Sequence, residues 1–195
     1  AFVAEAIEHV VEGLPVGAVK TGALGSENVV RETARVLERL ADRRGPLVVD
    51  PVLVSSSGGA LIDDAGARMV VERLLPLAEL VTPNRPEAER LAGMRVRDPD
   101  EMTRAAERIA GLGPEWVLVK GGHLEGGDVV DVLWSRGRVE RFCCARCATG
   151  DVRGTGCALA AGIAAQLARG RGIAEAVAES RLLLLGAIDA AREIA

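Results

Sequence analysis

Gly154-Thr155-Gly156-Cys157 runs straight into Ala158-Leu159-Ala160-Ala161-Gly162-Ile163, a run of small and apolar residues with helical character. Small residues at a helix start let successive backbone N–H groups point into one cavity, where the helix dipole favours phosphate or developing negative charge. The thiol of Cys157 sits in the same turn, and the dipole is expected to lower its pKa and make it a proton acceptor; the other reading is a small apolar filler beside backbone donors that act alone. Gly-x-Gly alone also describes a turn that merely begins a helix, so its neighbours in chemistry must decide. Asn84-Arg85-Pro86-Glu87 offers an amide oxygen and, three residues on, a carboxylate. That set suits Mg²⁺ shared with phosphates, although Thr82-Pro83-Asn84 also reads as a plain helix entry. Asp50 stands before Pro51, which cannot continue a central strand, so its carboxylate is expected unpaired at a strand end, facing a ligand crevice as a further metal oxygen; the other reading is a plain turn aspartate. Lys120 precedes Gly121-Gly122, where an ammonium can reach phosphate as a point charge and the glycines allow close approach; the other reading is a solvated lysine entering a hairpin. His9 and His123 have no sequence partner that would make either a base.

These groups need strands that end together. Phe2, Val3, Ala6, Ile7, Val10 and Val11 recur at helical spacing up to Gly13. A strand over 16–20, a helix capped by Ser26 and a strand over 47–50 form a β-α-β unit. The alternation continues with a helix over 63–75, a strand over 80–82, helices over 86–92 and 98–112, and a strand over 116–120. Such alternation predicts an α/β fold with a parallel sheet, helices on its faces and ligands beyond the strand C-termini. Runs over 129–134 and 139–142, joined by Ser135-Arg136-Gly137-Arg138, predict a hairpin. Two helices follow, from Gly154 to about residue 168 and over 173–193. No linker, repeat or low-complexity run divides residues 1–195, so one domain is expected.

Composition narrows the function. With 28 acidic against 24 basic side chains the formal charge is −4, and the basic residues are interleaved with acids, which excludes a nucleic-acid footprint. No stretch of 18 uninterrupted apolar residues suggests a membrane span. Four cysteines do not make a disulfide scaffold at this length, so a reducing, cytoplasmic setting is expected. Cys144 and Cys147 form a lone Cys-x-x-Cys pair without the further ligands of a zinc site, and the segment reads as a strand end.

Five ordered motifs then carry a resemblance: Val19-Lys20-Thr21-Gly22-Ala23-Leu24; Asp50-Pro51-Val52-Leu53-Val54 with Ser57-Gly58; Thr82-Pro83-Asn84-Arg85-Pro86-Glu87; Lys120-Gly121-Gly122-His123-Leu124; and Gly154-Thr155-Gly156-Cys157. In this order they resemble the hydroxymethylpyrimidine/phosphomethylpyrimidine kinases of thiamine biosynthesis, in the ribokinase-like superfamily. The resemblance implies a three-layer α/β/α fold with a mostly parallel sheet. It further implies that Mg²⁺ and ATP phosphorylate 4-amino-5-hydroxymethyl-2-methylpyrimidine and then its monophosphate. By matching position, Cys157 lies beside the acceptor oxygen, and Gly154, Thr155 and Gly156 form the anion hole. Asn84 and Glu87 hold Mg²⁺ and phosphate, Lys120 and Thr149 contact ATP, and Ala23 and Val52 wall the pyrimidine. Where the family reads Asn-Thr-His before Gly-Thr-Gly-Cys, this chain has Asp151-Val152-Arg153. The family's N-terminal strands and substrate loop have no counterpart in these residues, which implies a sheet edge that self-associates, as a homo-oligomer or with a missing piece. A pyridoxal-type kinase and a non-catalytic nucleotide- or pyrimidine-binding paralogue are the alternative readings.

Overall fold

Short aliphatic runs bounded by glycine, proline or charged residues become the strands β1 (Val19–Thr21), β2 (Leu47–Val49), β3 (Leu80–Val81) and β4 (Trp116–Val119). A computed structural model describes residues 2–54, 59–122, 128–145 and 154–192 of the chain. The first four strands pair in parallel and in chain order. Strands β5 (Asp128–Ser135) and β6 (Arg138–Ala145) then extend the sheet antiparallel. Their connection is tighter than the expected four residues, because Ser135 and Arg138 pair with each other. Arg136 (φ 47°) and Gly137 (φ 78°) both adopt left-handed backbone, the conformation a two-residue hairpin turn with matching twist demands. Strand β6 carries Cys143 and Cys144 to its end, as the strand-end reading requires.

Helices α1 (Phe2–Gly13), α2 (Glu27–Arg39), α3 (Asp64–Met69), α4 (Arg85–Ala92), α5 (Pro99–Ala110), α6 (Thr155–Ala168) and α7 (Ile173–Arg192) supply the crossovers and the covering layers. Ser26, Asp63 and Asp98 each accept the backbone N–H of the third residue beyond them, the N-cap bond that starts α2, α3 and α5. The single helix expected over 63–75 is instead α3, a π turn over Val70–Leu74 and a 3-10 turn over Leu75–Leu77. Pro76 has no N–H to continue α-helical pairing, so the last turns are rewound.

Alternation along the strands builds two cores. Leu47, Val49, Val81, Val117, Val119 and Val132 face one side with Val30, Ala34 and Leu37 of α2 and Met102, Ala105 and Ile109 of α5. Val48, Leu80, Leu118 and Leu133 face the other, against Leu159, Ala160 and Ile163 of α6 and Ala176 and Val177 of α7. The result is the three-layer α/β/α architecture, with α1 seated on α2 through Ala4, Val11, Val36 and Leu40. Strand β1 starts later than the sequence suggests. Gly17 is packed between the end of α6, where a Cβ would come within 2.8 Å of the Ala168 Cβ, and Gly45 on the way into β2, and regular pairing with β2 begins only at Val19. Among the described residues, no helix is long and apolar enough to cross a membrane.

Candidate active site at the strand ends

Backbone pairing carries four motifs to one edge of the sheet. Asp50 N–H donates to the Thr21 carbonyl at 3.0 Å, Thr82 N–H to Val49 at 2.9 Å and Lys120 N–H to Pro83 at 2.9 Å. The residues just past β1, β2, β3 and β4 are therefore neighbours, and the N-terminus of α6 joins them, at the place where open parallel sheets hold ligands.

Asp50 is the hub, with only 2% of its surface exposed. Lys120 Nζ donates to its Oδ1 at 2.9 Å and the Thr82 hydroxyl donates to the same oxygen at 3.2 Å. Lys20 Nζ lies 3.6 Å from Oδ2. The unpaired carboxylate expected from sequence is thus a doubly paired one, because Lys20 of the neighbouring strand β1 and Lys120, just past β4 and two strands away, both reach it. Burial by itself would raise the Asp50 carboxyl, but the charge and hydrogen bond of Lys120, helped by Lys20, hold it below the ordinary range. Two ammonium groups on one carboxylate leave net positive charge in the crevice. Nor is Lys120 a solvated hairpin lysine, since its side chain is 12% exposed.

Lys20 carries no assigned role in the sequence motifs, yet it holds the second position on Asp50. The signal was present: Lys20-Thr21-Gly22, like Lys120-Gly121-Gly122, puts a glycine just past a lysine at a strand end. Glycine backbones seat both ammonium groups. A Cβ on Gly22 would lie 2.8 Å from Lys20 Nζ, and one on Gly156 would lie 3.0 Å from Lys120 Nζ. Lys120 is thereby tied to the first turn of α6, and Lys20 to the segment after β1.

Gly154 begins α6 in left-handed backbone (φ 84°), which glycine adopts without a steric penalty. Cys157 is exposed in the first turn. The acidified thiol expected there is not what the surroundings produce. Desolvation, then the charge of Asp50 and a hydrogen bond to it, push the thiol pKa up, against the weaker opposite pull of Lys20 and Lys120. Burial first, and then a fixed carboxylate beside the sulfur, set the direction.

Asn84 and Glu87 close a reciprocal capping box on α4. Asn84 Oδ1 accepts Glu87 N–H at 3.0 Å while Glu87 Oε2 accepts Asn84 N–H at 2.9 Å. Glu87 Oε1 also accepts Leu53 N–H at 3.4 Å. Burial pushes the Glu87 carboxyl up to about 7, more than Lys120 and these backbone donors pull it down. Val52 lines a small recess together with Gly22, Leu24, Asp50, Leu53 and Ile62. Ala23 is exposed between two of those lining residues. Thr149, the Asp151-Val152-Arg153 departure, His123, Ser57-Gly58 and Cys147 lie outside the described residues.

A carboxylate between two lysines, at a glycine-led helix start and below a capped Asn-x-x-Glu turn, fits the order of motifs along the whole chain. The family model described as phosphomethylpyrimidine kinase matches residues 1–195. The chain belongs to the phosphomethylpyrimidine kinase family. A thiamine biosynthesis bifunctional protein of Geobacter sulfurreducens is 44% identical over 195 residues, 100% of this chain and 39% of that protein. A hydroxymethylpyrimidine/phosphomethylpyrimidine kinase of Streptomyces coelicolor is 41% identical over 181 residues, 93% of this chain and 66% of that protein. The chain therefore spans less than two thirds of either relative. Among solved structures, a phosphomethylpyrimidine kinase from Clostridium difficile superimposes with a TM-score of 0.81 at 36% identity, covering 95% of this chain and 74% of that one. An ADP complex of Bacillus subtilis pyridoxal kinase gives 0.82 at 30%, covering 91% and 65%.

For this family member, a divalent cation is tested by the donor set. Asp50, Asn84 and Glu87 supply hard oxygens at one strand-end line, and Asp50 Oδ2 is buried without a hydrogen-bond partner in the structure. Among the described residues, no three His, Cys, Asp or Glu side chains cluster as a protein-only metal cage. That arrangement fits Mg²⁺ in the form that accompanies nucleotide phosphates, with few protein ligands.

Proposed function

We propose that this domain catalyses transfer of the γ-phosphoryl group of ATP to the hydroxymethyl group of 4-amino-5-hydroxymethyl-2-methylpyrimidine, and then to the resulting monophosphate. The observation that carries the reading is the Lys20–Asp50–Lys120 cluster beside the first turn of α6. It sets a carboxylate and surplus positive charge where an acceptor hydroxyl and a transferring phosphoryl group would meet. In the step, the acceptor oxygen bonds to the γ-phosphorus, the bond from that phosphorus to the ADP oxygen breaks, and the hydroxyl proton passes to the Asp50 carboxylate. Lys120 and the backbone N–H groups of Gly154, Thr155, Gly156 and Cys157 neutralise charge on the transferred group. Lys20 and the Cys157 thiol face the acceptor side, where Ala23 and Val52 flank the ring. Asn84 and Glu87 would hold Mg²⁺, which when bound offsets the charge of the ATP phosphates, and the Asp50 carboxylate is left to the acceptor proton. Thr149 is assigned to ATP by its place in the motif order. The setting is cytoplasmic. Strand β1 pairs only with β2 among the described residues, and exposed Leu182 and Leu183 on α7 also support self-association.

Coupled ATP-consumption assays with the pyrimidine alcohol, its monophosphate and pyridoxal test the reading. Consumption with the first two and little with pyridoxal is expected, since the relatives named for pyrimidine kinases share more identity with this chain than the pyridoxal kinase does. Consumption with pyridoxal alone, or nucleotide binding without turnover on any acceptor, overturns it.

A further inference from the structure

A buried ion pair lies outside the cluster just described and takes no part in the chemistry assigned to it. Asp131 on β5 and Arg181 on α7 are 4% and 8% exposed. Arg181 pairs with Asp131 Oδ2, donates to the Phe142 carbonyl of β6 at 3.1 Å and reaches Cys144 Sγ at 3.5 Å. Its guanidinium lies over the Phe142 ring, 5.6 Å from the centroid. Phe142 is the cross-strand partner of Asp131, so one arginine clamps both strands of the hairpin to α7.

The other oxygen of Asp131 points toward the reaction centre. Asp131 Oδ1 accepts the backbone N–H of Gly121 at 2.7 Å. Gly121 follows Lys120 directly, and strand β5 presses so closely on it that a Cβ there would fall 1.9 Å from the Val130 carbonyl oxygen. The chain thus turns away from β4 at a point held by two adjacent residues of β5, the Val130 backbone and the Asp131 carboxylate. Lys120 is the last residue before that point.

We propose that Asp131, held by Arg181, is a positioning residue for the kinase reaction: through the Gly121 N–H it fixes the backbone from which Lys120 reaches Asp50, and so couples α7 to the active site. The proposal rests on the kinase reading for its effect on turnover and on geometry alone for its effect on Lys120. A buried ion pair can be replaced without loss of fold if both partners change together, whereas removing one leaves an uncompensated charge. Two double variants therefore separate positioning from folding. Asp131→Asn with Arg181→Gln keeps an acceptor for Gly121 and a neutral hydrogen-bonded pair. Asp131→Leu with Arg181→Met fills the same space and removes the acceptor.

The readouts are thermal stability, amide hydrogen exchange at Gly121, labelling of Lys120 by acetic anhydride read by mass spectrometry, and turnover on both pyrimidine acceptors. The Asn/Gln pair is expected to behave within about 3-fold of the parent on every readout, whereas the Leu/Met pair exchanges Gly121 and labels Lys120 at least ~10-fold faster and loses at least ~10-fold in kcat with little change in KM, the scale of a misplaced catalytic group. Equal exchange and equal labelling in the two folded double variants overturns the proposal. If no variant, nor the parent, turns over any acceptor, the kinase reading fails, and Gly121 exchange with Lys120 labelling alone decides the positioning role. If the Leu/Met pair does not fold, Arg181→Gln with Asp131→Ser, which shortens the acceptor away from Gly121, takes its place with the same expected outcomes.

Discussion

Glu87 makes the metal-free domain sensitive to pH, and one substitution isolates its share. Its carboxyl is 2% exposed and is pushed up to about 7 from an ordinary 4.5. The folded chain therefore holds this proton more tightly than the unfolded chain. The stabilisation is fully present below the ordinary glutamate range and is lost as pH rises through about 7. At ~1.4 kcal/mol for each pH unit between the two values, the whole loss is about 3 kcal/mol, of which roughly 2.5 kcal/mol falls between pH 5 and pH 8. Glu87→Gln cannot ionise. Its amide oxygen can still accept the Asn84 N–H, while its NH₂ group meets the Leu53 N–H unfavourably, a cost that is the same at every pH. Urea denaturation of parent and variant in EDTA, at pH 5, 6, 7 and 8, therefore shows a stability difference that moves in the variant's favour by about 2.5 kcal/mol across the series. In thermal melts the same change is roughly 5–10 °C for a chain of this size. A difference that stays constant from pH 5 to pH 8 means that Glu87 ionises as easily folded as unfolded, and it overturns the prediction.

Asp50→Asn is expected to lower the Cys157 thiol pKa, since it removes a charge that raises it and leaves Lys20 and Lys120, which lower it. Iodoacetamide alkylation of Cys157 followed against pH checks this, and an unmoved profile counts against contact between the two groups. Gly156→Ala places a Cβ 3.0 Å from Lys120 Nζ, so the ammonium must shift by a few tenths of an ångström where it sits against Asp50. Turnover is expected to fall about 10-fold or more with thermal stability within a few degrees, and an active variant would free Lys120 of its dependence on that glycine.

The strand-end line was legible because local punctuation marks it: Pro51, Pro83 and the Gly121-Gly122 pair each stop a strand beside a polar residue, and their order carries the family resemblance. What joins those ends was not legible. Lys120 and Asp50 are 70 residues apart, and nothing local in either motif says that the ammonium lands on the carboxylate. Lys20 was missed for the same reason. The Asp131–Arg181 pair reads in sequence as a polar residue in a hairpin and a charge on a helix, and only packing of α7 on the hairpin makes it a unit. Glu87 shows how one residue satisfies two readings. Its spacing from Asn84 suits a metal site and a capping box alike, and in the metal-free fold the box takes one of its oxygens and the Leu53 N–H the other. Boundaries moved where a residue's backbone chemistry acts on its neighbours, as at Pro76 and Gly17.

The thiol and the carboxylate at the site must share one proton problem, and their environments divide it unevenly. An ordinary thiol is ~3% ionised at pH 7, and Cys157, raised by desolvation and by Asp50, is less so. A thiolate base drawn from that population forfeits more than an order of magnitude before any proton moves. Asp50 is ionised throughout the neutral range because two lysines hold it so. Those same lysines weaken it as a resting base, yet the balance changes during transfer. As the acceptor oxygen bonds to phosphorus its proton becomes far more acidic, and a loose phosphoryl transition state asks for little base strength until that bond is formed. A carboxylate that is always ionised, correctly placed and flanked by cations that can turn toward phosphate meets that late demand better than a scarce thiolate. Asp50, rather than Cys157, is then the end point of the proton, with the neutral thiol as its hydrogen-bond donor. The consequence is an order of severity: Asp50→Asn costs turnover more than Cys157→Ala does, and the reverse order returns the base role to the thiol.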